Sequence, residues 1–283
     1  INTIVATGAS GNGLNYIQKD VASGSGEYDL SITGGYETCQ MAYCGMLNNL
    51  QALDYIDLQR SWWDDKCTAD LSVAGSTYFA VGDYSTNAFD CSYCILFNKD
   101  LIKEYGFEDP YELVRTKKWT YDKFEELVLS VYVDLDADSK ASGGDQYGLI
   151  VWQDSVFGML NAAGSVVGSV NADGMLTLQI ESEKNLNLLT KYINLCAGET
   201  VININKNSSL DATNMFANAQ GVFYTRYLAS VRDLREYDVN FGILPYPLLD
   251  SNQDQYHTSV HSYGISMLGI PISVKDVDRS CAV

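Results

Sequence analysis

Two apolar runs stand apart in the pattern of this chain: Tyr93-Cys94-Ile95-Leu96-Phe97, and Val239-Asn240-Phe241-Gly242-Ile243-Leu244-Pro245. The first predicts a strand that empties into a helix, with Asp100 as cap and Gly106 closing it after Leu101-Ile102-Lys103-Glu104-Tyr105. The second predicts a strand stopped by Pro245 and Pro247, which cannot extend a ladder or a helix. Between them lies a self-contained series of helix and strand signals. A chain that leaves one module, builds another and returns makes two lobes joined by two crossings. The division expected is residues 1–97 plus 244–283 for the first lobe and 98–243 for the second.

The remaining pattern alternates between helix and strand. Leu14, Ile17 and Val21 recur at helical spacing, and Gly24-Ser25-Gly26 ends that helix. Residues 28–32 alternate as a strand, 37–47 read as a second helix, and 76–81 read as another strand. The clearest helix is 121–133, with Thr120 as cap and Phe124, Leu127, Val128 and Val131 as its stripe. A strand at 146–151 runs into Trp152-Gln153-Asp154. Leu186, Leu189, Ile193 and Cys196 mark a helix, as do Met215, Phe216 and Ala219, followed by a strand at 222–224. This alternation predicts an α/β chain with parallel sheets covered on both faces.

Composition narrows the partners. With 283 residues, 46 % of them hydrophobic, the chain can bury one or two cores. The net charge of −18 sets it against nucleic acid and anionic membrane, and no apolar run is long enough for a membrane helix. Twenty tyrosines beside nine phenylalanines supply flat apolar faces that also carry a hydroxyl, which suits a sugar ring as well as half-buried packing. The seven cysteines read as free thiols. Cys91-x-x-Cys94 has redox or zinc spacing but no partner pair, and a local Cys39–Cys44 bridge is the alternative in an oxidising compartment. Asn207-Ser208-Ser209 is a glycosylation acceptor only in a eukaryotic secretory setting.

A series of segments then carries a resemblance. In order they are the Tyr28-Asp29-Leu30 strand, Leu53-Asp54-Tyr55-Ile56-Asp57-Leu58, the Trp62-Trp63 pair, and Ile95-Leu96-Phe97-Asn98-Lys99-Asp100-Leu101. Trp119-Thr120-Tyr121-Asp122-Lys123-Phe124-Glu125-Glu126-Leu127, Asp145-Gln146-Tyr147-Gly148 and Met215-Phe216-Ala217-x-Ala219-x-Gly221-Val222-Phe223 follow, and Asn240-Phe241-Gly242-Ile243-Leu244-Pro245-Tyr246-Pro247 closes the series. The chain resembles the extracellular solute-binding proteins of bacterial ABC transporters, the group that includes the maltose-binding protein. The resemblance implies an α/β, two-lobe periplasmic-binding-protein type II-like fold, incomplete at both termini, where the family carries a further strand and helix at the start and a helical tail at the end. It further implies an extracytoplasmic, lipid-anchored monomer that takes a sugar or oligosaccharide in an interlobe cleft and delivers it to an ABC permease. No cofactor and no enzymatic activity are expected. The alternatives are a sensor or adhesin without transport, and a glycoside hydrolase, although no nucleophile elbow, phosphate loop or zinc signature accompanies the carboxylates.

Ligands of open α/β lobes bind beyond the carboxyl ends of the strands. That rule selects Tyr36, Asn87, Trp152, Asp154, Tyr224 and Arg226, with His261 and Tyr263 in a segment that resembles the family's return to the cleft. Each has an ordinary alternative; Arg226, for instance, can cap a helix or pair on the surface. Trp62 and Trp63 read as packing more than as a ligand platform. Asp134-x-Asp136-x-Asp138 ending at Asp145 mimics a calcium loop, but it lacks the glycine at position six and the final Glu, as a solvated acidic turn also would.

Overall fold

A computed structural model describes residues 12–206 and 209–282 of the chain. The acceptor at Asn207 lies outside the described residues. Ten strands appear among them: β1 Ser31–Gly34, β2 Tyr93–Asn98, β3 Tyr132–Val133, β4 Gln146–Val151 and β5 Gly168–Val170. The others are β6 Leu176–Leu178, β7 Val201–Asn203, β8 Gly221–Tyr227, β9 Phe241–Leu244 and β10 Ser266–Gly269.

The chain separates into two compact units. One comprises Ile1–Ala88, Gly168–Thr177 and His261–Val283; the other comprises Phe89–Val167 and Leu178–Val260. Both runs read as crossings are therefore strands within the second unit. Ile95 pairs with Leu244 and Asn98 with Phe241 in an antiparallel β2–β9 ladder, so positions 97 and 244 lie inside one sheet. Residues 168–177, all of the short β5–β6 pair but Leu178, count with the first unit although their flanking chain belongs to the second, which the hydrophobic pattern did not signal.

In the second unit the strand order is β3-β4-β8-β2-β9, with β7 also on β4. The sheet is mixed, not parallel. β4 runs parallel to β7 and β8, whereas β2 runs antiparallel to both β8 and β9. Covering on both faces is nevertheless observed: all six residues of β2 and of β4 are buried, which accounts for their unbroken apolar runs. On one face Trp119, Phe124 and Phe223 meet ring to ring at 5.6–5.7 Å, and all three are inaccessible to solvent. On the other, Leu96, Ile150, Phe216 and Tyr224 pack together.

Helix Tyr121–Leu129 starts at Thr120, whose Oγ1 accepts from the Lys123 N–H, and ends four residues earlier than the stripe predicts because β3 begins at Tyr132. The cap after β2 is Asn98, not Asp100: its Oδ1 accepts from the N–H groups of Asp100 and Leu101, both at 3.0 Å. Helix Glu183–Cys196 is present, but its buried face is Asn185, Leu188, Tyr192 and Leu195. Leu186 and Ile193, expected inward, are 49 % and 59 % exposed. A buried Asn and Tyr had shifted the stripe by one position.

The first unit carries helices Asn12–Ser23 and Gly35–Tyr43 against the antiparallel β1–β10 pair. Residues 76–81 form no strand; they make only isolated bridges, Val73 with Ser76 and Ala80 with Leu268. Its apolar contacts fall into separate small groups, Ile17, Met41 and Leu47 in one and Leu50, Leu58, Ala80 and Ile270 in another. A polar knot ties the helix to the far end of the chain. Buried Asp20 accepts from Ser25 Oγ at 2.5 Å, the Glu27 N–H at 2.7 Å and Ser273 Oγ at 2.5 Å. Burial pushes its carboxyl up, but these bonds to the charged form outweigh it and hold the group below the usual carboxylate range.

Candidate functional site

Parallel strands end on the same edge of their sheet. Because β4 and β8 are parallel and β2 is antiparallel, the residues after Val151, the end of β8 and the start of β2 all gather there. The side chains that meet at this edge are Trp152, Arg226, Tyr227 and Tyr93. The Arg226 guanidinium carbon lies 4.8 Å from the centre of the Trp152 ring and 4.6 Å from that of Tyr227. Trp152 and Tyr227 meet edge to face at 5.8 Å, Tyr93 sits 6.3 Å from Trp152, and Tyr246 stands edge-on to Tyr93 at 6.2 Å.

Trp152 is held from behind. Its carbonyl accepts from the Ser155 hydroxyl at 2.5 Å, and that hydroxyl also meets Tyr192 Oη at 2.7 Å. The indole is only 9 % exposed, so it forms the inner layer, and the half-buried Arg226 and Tyr227 form the outer one. Asp154, at the entry to helix Ser155–Ala162, makes no cap bond with its side chain. Burial, and after it the Asp154 charge, raises the Tyr93 phenol far above its ordinary value. Arg226 is distinctive. Its Nε is shut from solvent with no hydrogen-bond partner, whereas Arg60, Arg115, Arg232 and Arg279 each reach a carboxylate at 2.7–3.3 Å.

Of the residues expected from sequence, Trp152 and Arg226 come together here, with Asp154 acting on Tyr93. Tyr224 does not join them. It is 1 % exposed and packs beside Phe216 at 5.6 Å in the core, because it precedes the strand's free end. Tyr93 and Tyr227 were missed, and the available signal was the run Tyr224-Thr225-Arg226-Tyr227, which ends a strand in polar aromatics.

The first unit holds a second aromatic group. Tyr36 and Tyr263 stack at 5.1 Å with 28° between planes, and His261 lies 5.8 Å from Tyr263. Gly34 and Gly35 permit this approach, since a Cβ at either would come within 2.6 Å of the carbonyl oxygen of Tyr263 or Ser262. Both tyrosines remain about half exposed, at 49 % and 54 %. Tyr36 also walls a groove of about 480 Å³ lined by Leu14, Gln18, Cys39, Gln40, Tyr43, Cys44 and Met46. Asn87 serves the backbone, its Oδ1 accepting from the Ser266 N–H at 3.0 Å. Trp63 packs against the Leu50 group, while Trp62 is half exposed beside Arg60.

The carboxylates of Asp134, Asp136 and Asp138 lie within 4.8 Å of one another. Asp145 is fully buried and spends its oxygens on the loop itself, accepting from the N–H groups of Leu135 at 3.2 Å and Ser142 at 2.8 Å. Asp134, Asp136 and Asp138 likewise accept from the N–H groups of Ser139, Asp138 and Lys140, the bonding of an acidic turn. All seven cysteines are free, Cys39 and Cys44 included. Burial pushes the Cys67 and Cys94 thiols up to about 12 and Cys196 to about 11, which disfavours the reactive thiolate.

No family model matches the chain, and no curated protein matches it. Solved structures do. The GacH receptor of Streptomyces glaucescens, whose structures include complexes with acarbose, superposes with a TM-score of 0.63 at 15 % identity over 97 % of this chain and 64 % of that one. The maltose/maltodextrin-binding domain MalE of Bdellovibrio bacteriovorus, bound to maltotriose, gives 0.63 at 16 % identity over 97 % and 65 %. An ABC substrate-binding protein of Listeria monocytogenes in complex with cycloalternan gives 0.63 at 16 % over 98 % and 64 %. The chain therefore has the mixed α/β fold of the solute-binding proteins and spans a little under two thirds of the length of these structures. No helix among the described residues is long and apolar enough to cross a membrane.

Proposed function

We propose that the chain binds a sugar or oligosaccharide outside the cytoplasm and supplies it to the permease of an ABC transporter, as a lipid-anchored monomer without enzymatic activity. The observation that carries this reading is the cluster of Trp152, Tyr227, Tyr93 and Arg226 at the carboxyl edge of the second unit's sheet. Aromatic faces pack against the C–H faces of a sugar, and a guanidinium donates to its oxygens in a fixed plane. Glycoside hydrolysis instead needs two carboxyls set across the scissile bond. A cluster of rings and one cation has the composition of a binding site. The stacked Tyr36 and Tyr263, with His261, offer the first unit's own aromatic surface for the same class of ligand.

Titration calorimetry of the full chain against monosaccharides, oligosaccharides, polyols, peptides and polyamines tests the reading. Saturable binding confined to sugars is expected, and Trp152→Phe should weaken it by about tenfold, or 1.4 kcal/mol. Binding of peptides or polyamines alone, or release of reducing ends during incubation, would overturn it.

A further inference from the structure

Resting on that reading, we infer that Arg226 reads an oxyanion, so that the ligand is an acidic sugar whose negative group docks at the end of β8. A guanidinium is costly to remove from water unless it is paired. Here the Nε is buried and unbonded, and two ring faces at 4.6 and 4.8 Å are the partners of the planar group. Cation–π contacts offset part of the cost. They also fix the plane, and a guanidinium fixed in plane can donate two parallel hydrogen bonds from its Nη1/Nη2 edge to one partner. Carboxylate and phosphate match that fork, and sugar hydroxyls match it less well.

The rest of the chain sharpens the assignment. With 36 acidic residues against 18 basic, counter-ions for an arginine are abundant, and four of the other five arginines, Arg60, Arg115, Arg232 and Arg279, use one. Arg226 lies opposite buried Cys94 in the ladder, and its guanidinium is flanked by two rings instead.

The test compares matched pairs by calorimetry on the full chain: glucuronate against glucose, galacturonate against galactose, and glucose 6-phosphate against both. The acidic member should bind at least about tenfold tighter, with an advantage that shrinks as salt rises. Arg226→Gln should abolish the advantage and Arg226→Lys retain part of it, with thermal melts confirming that both variants fold. Whether uronate or phosphate wins identifies the source of the oxyanion. Equal or tighter binding of the neutral sugars, or an equal loss for both members in Arg226→Gln, would make Arg226 a packing residue and overturn this inference alone. Silence toward every sugar, acidic and neutral, would overturn the sugar reading and this inference together.

Discussion

The two units hold their shape by different means. The second buries a sheet on both faces, with Trp119, Phe124 and Phe223 as one interlocked set of rings. The first, among the described residues, has a two-stranded ladder, small apolar groups and a polar knot around Asp20. A paired ladder of two strands is marginal by itself, so the described part of the first unit relies on small, separate apolar groups. The Arg226 cluster therefore stands on a rigid frame, and the Tyr36–Tyr263 stack stands on a softer one. The largest effect should expose this. Phe223→Ala should cost about 3–5 kcal/mol and raise hydrogen exchange through β2, β4 and β8. Met41→Ala, at about 2–5 kcal/mol, should raise it only through the first unit's helices and the β1–β10 pair. A single denaturant transition that shifts equally for both variants would break the comparison.

The same contrast governs what could be read in the sequence. β2 and β4 were legible because a strand buried on both faces is apolar over most of its length, here Tyr93–Phe97 and Leu149–Val151. The partners of those strands were not, since apolar runs say nothing about direction; the antiparallel return of β2 is a tertiary fact. Residues 76–81 look like a strand in isolation and fail to become one because they find only isolated bridges, at Ser76 and Ala80. At the site, Trp152 and Arg226 followed from the rule about strand ends. Tyr93 and Tyr227 did not, because a tyrosine at the margin of a strand looks the same whether it lines a core or an open edge. Tyr224 shows the converse error: two residues nearer the middle of β8, the same side chain is core.

Asp20 offers an intermediate test of the first unit. Its carboxyl is held below the unfolded value of about 3.9, so its contribution is complete above about pH 4 and is lost as pH falls through the lower folded value. Asp20→Asn should cost about 1–3 kcal/mol at neutral pH, and its deficit against the parent should close in acid. Denaturation midpoints measured from pH 7 down to pH 2 would show the convergence. A deficit independent of pH would mean that shape, not charge, makes the knot.

The smallest effect expected is at the Tyr36–Tyr263 stack. Tyr36 and Tyr263 are half exposed, so their stack should couple by about 0.5–1.5 kcal/mol at most in a double-mutant cycle on stability. Such a small structural return for two large aromatic rings, brought together across a pair of glycines, leaves room for a role at the surface. Tyr263→Ala should then lower sugar affinity several-fold while moving the melting temperature little, whereas Trp152→Ala should lower both, because the indole is nearly buried within its core. If Tyr263→Ala instead shifts the melting temperature and spares the affinity, the stack is packing for a thin unit, and recognition of the ligand belongs to the second unit alone.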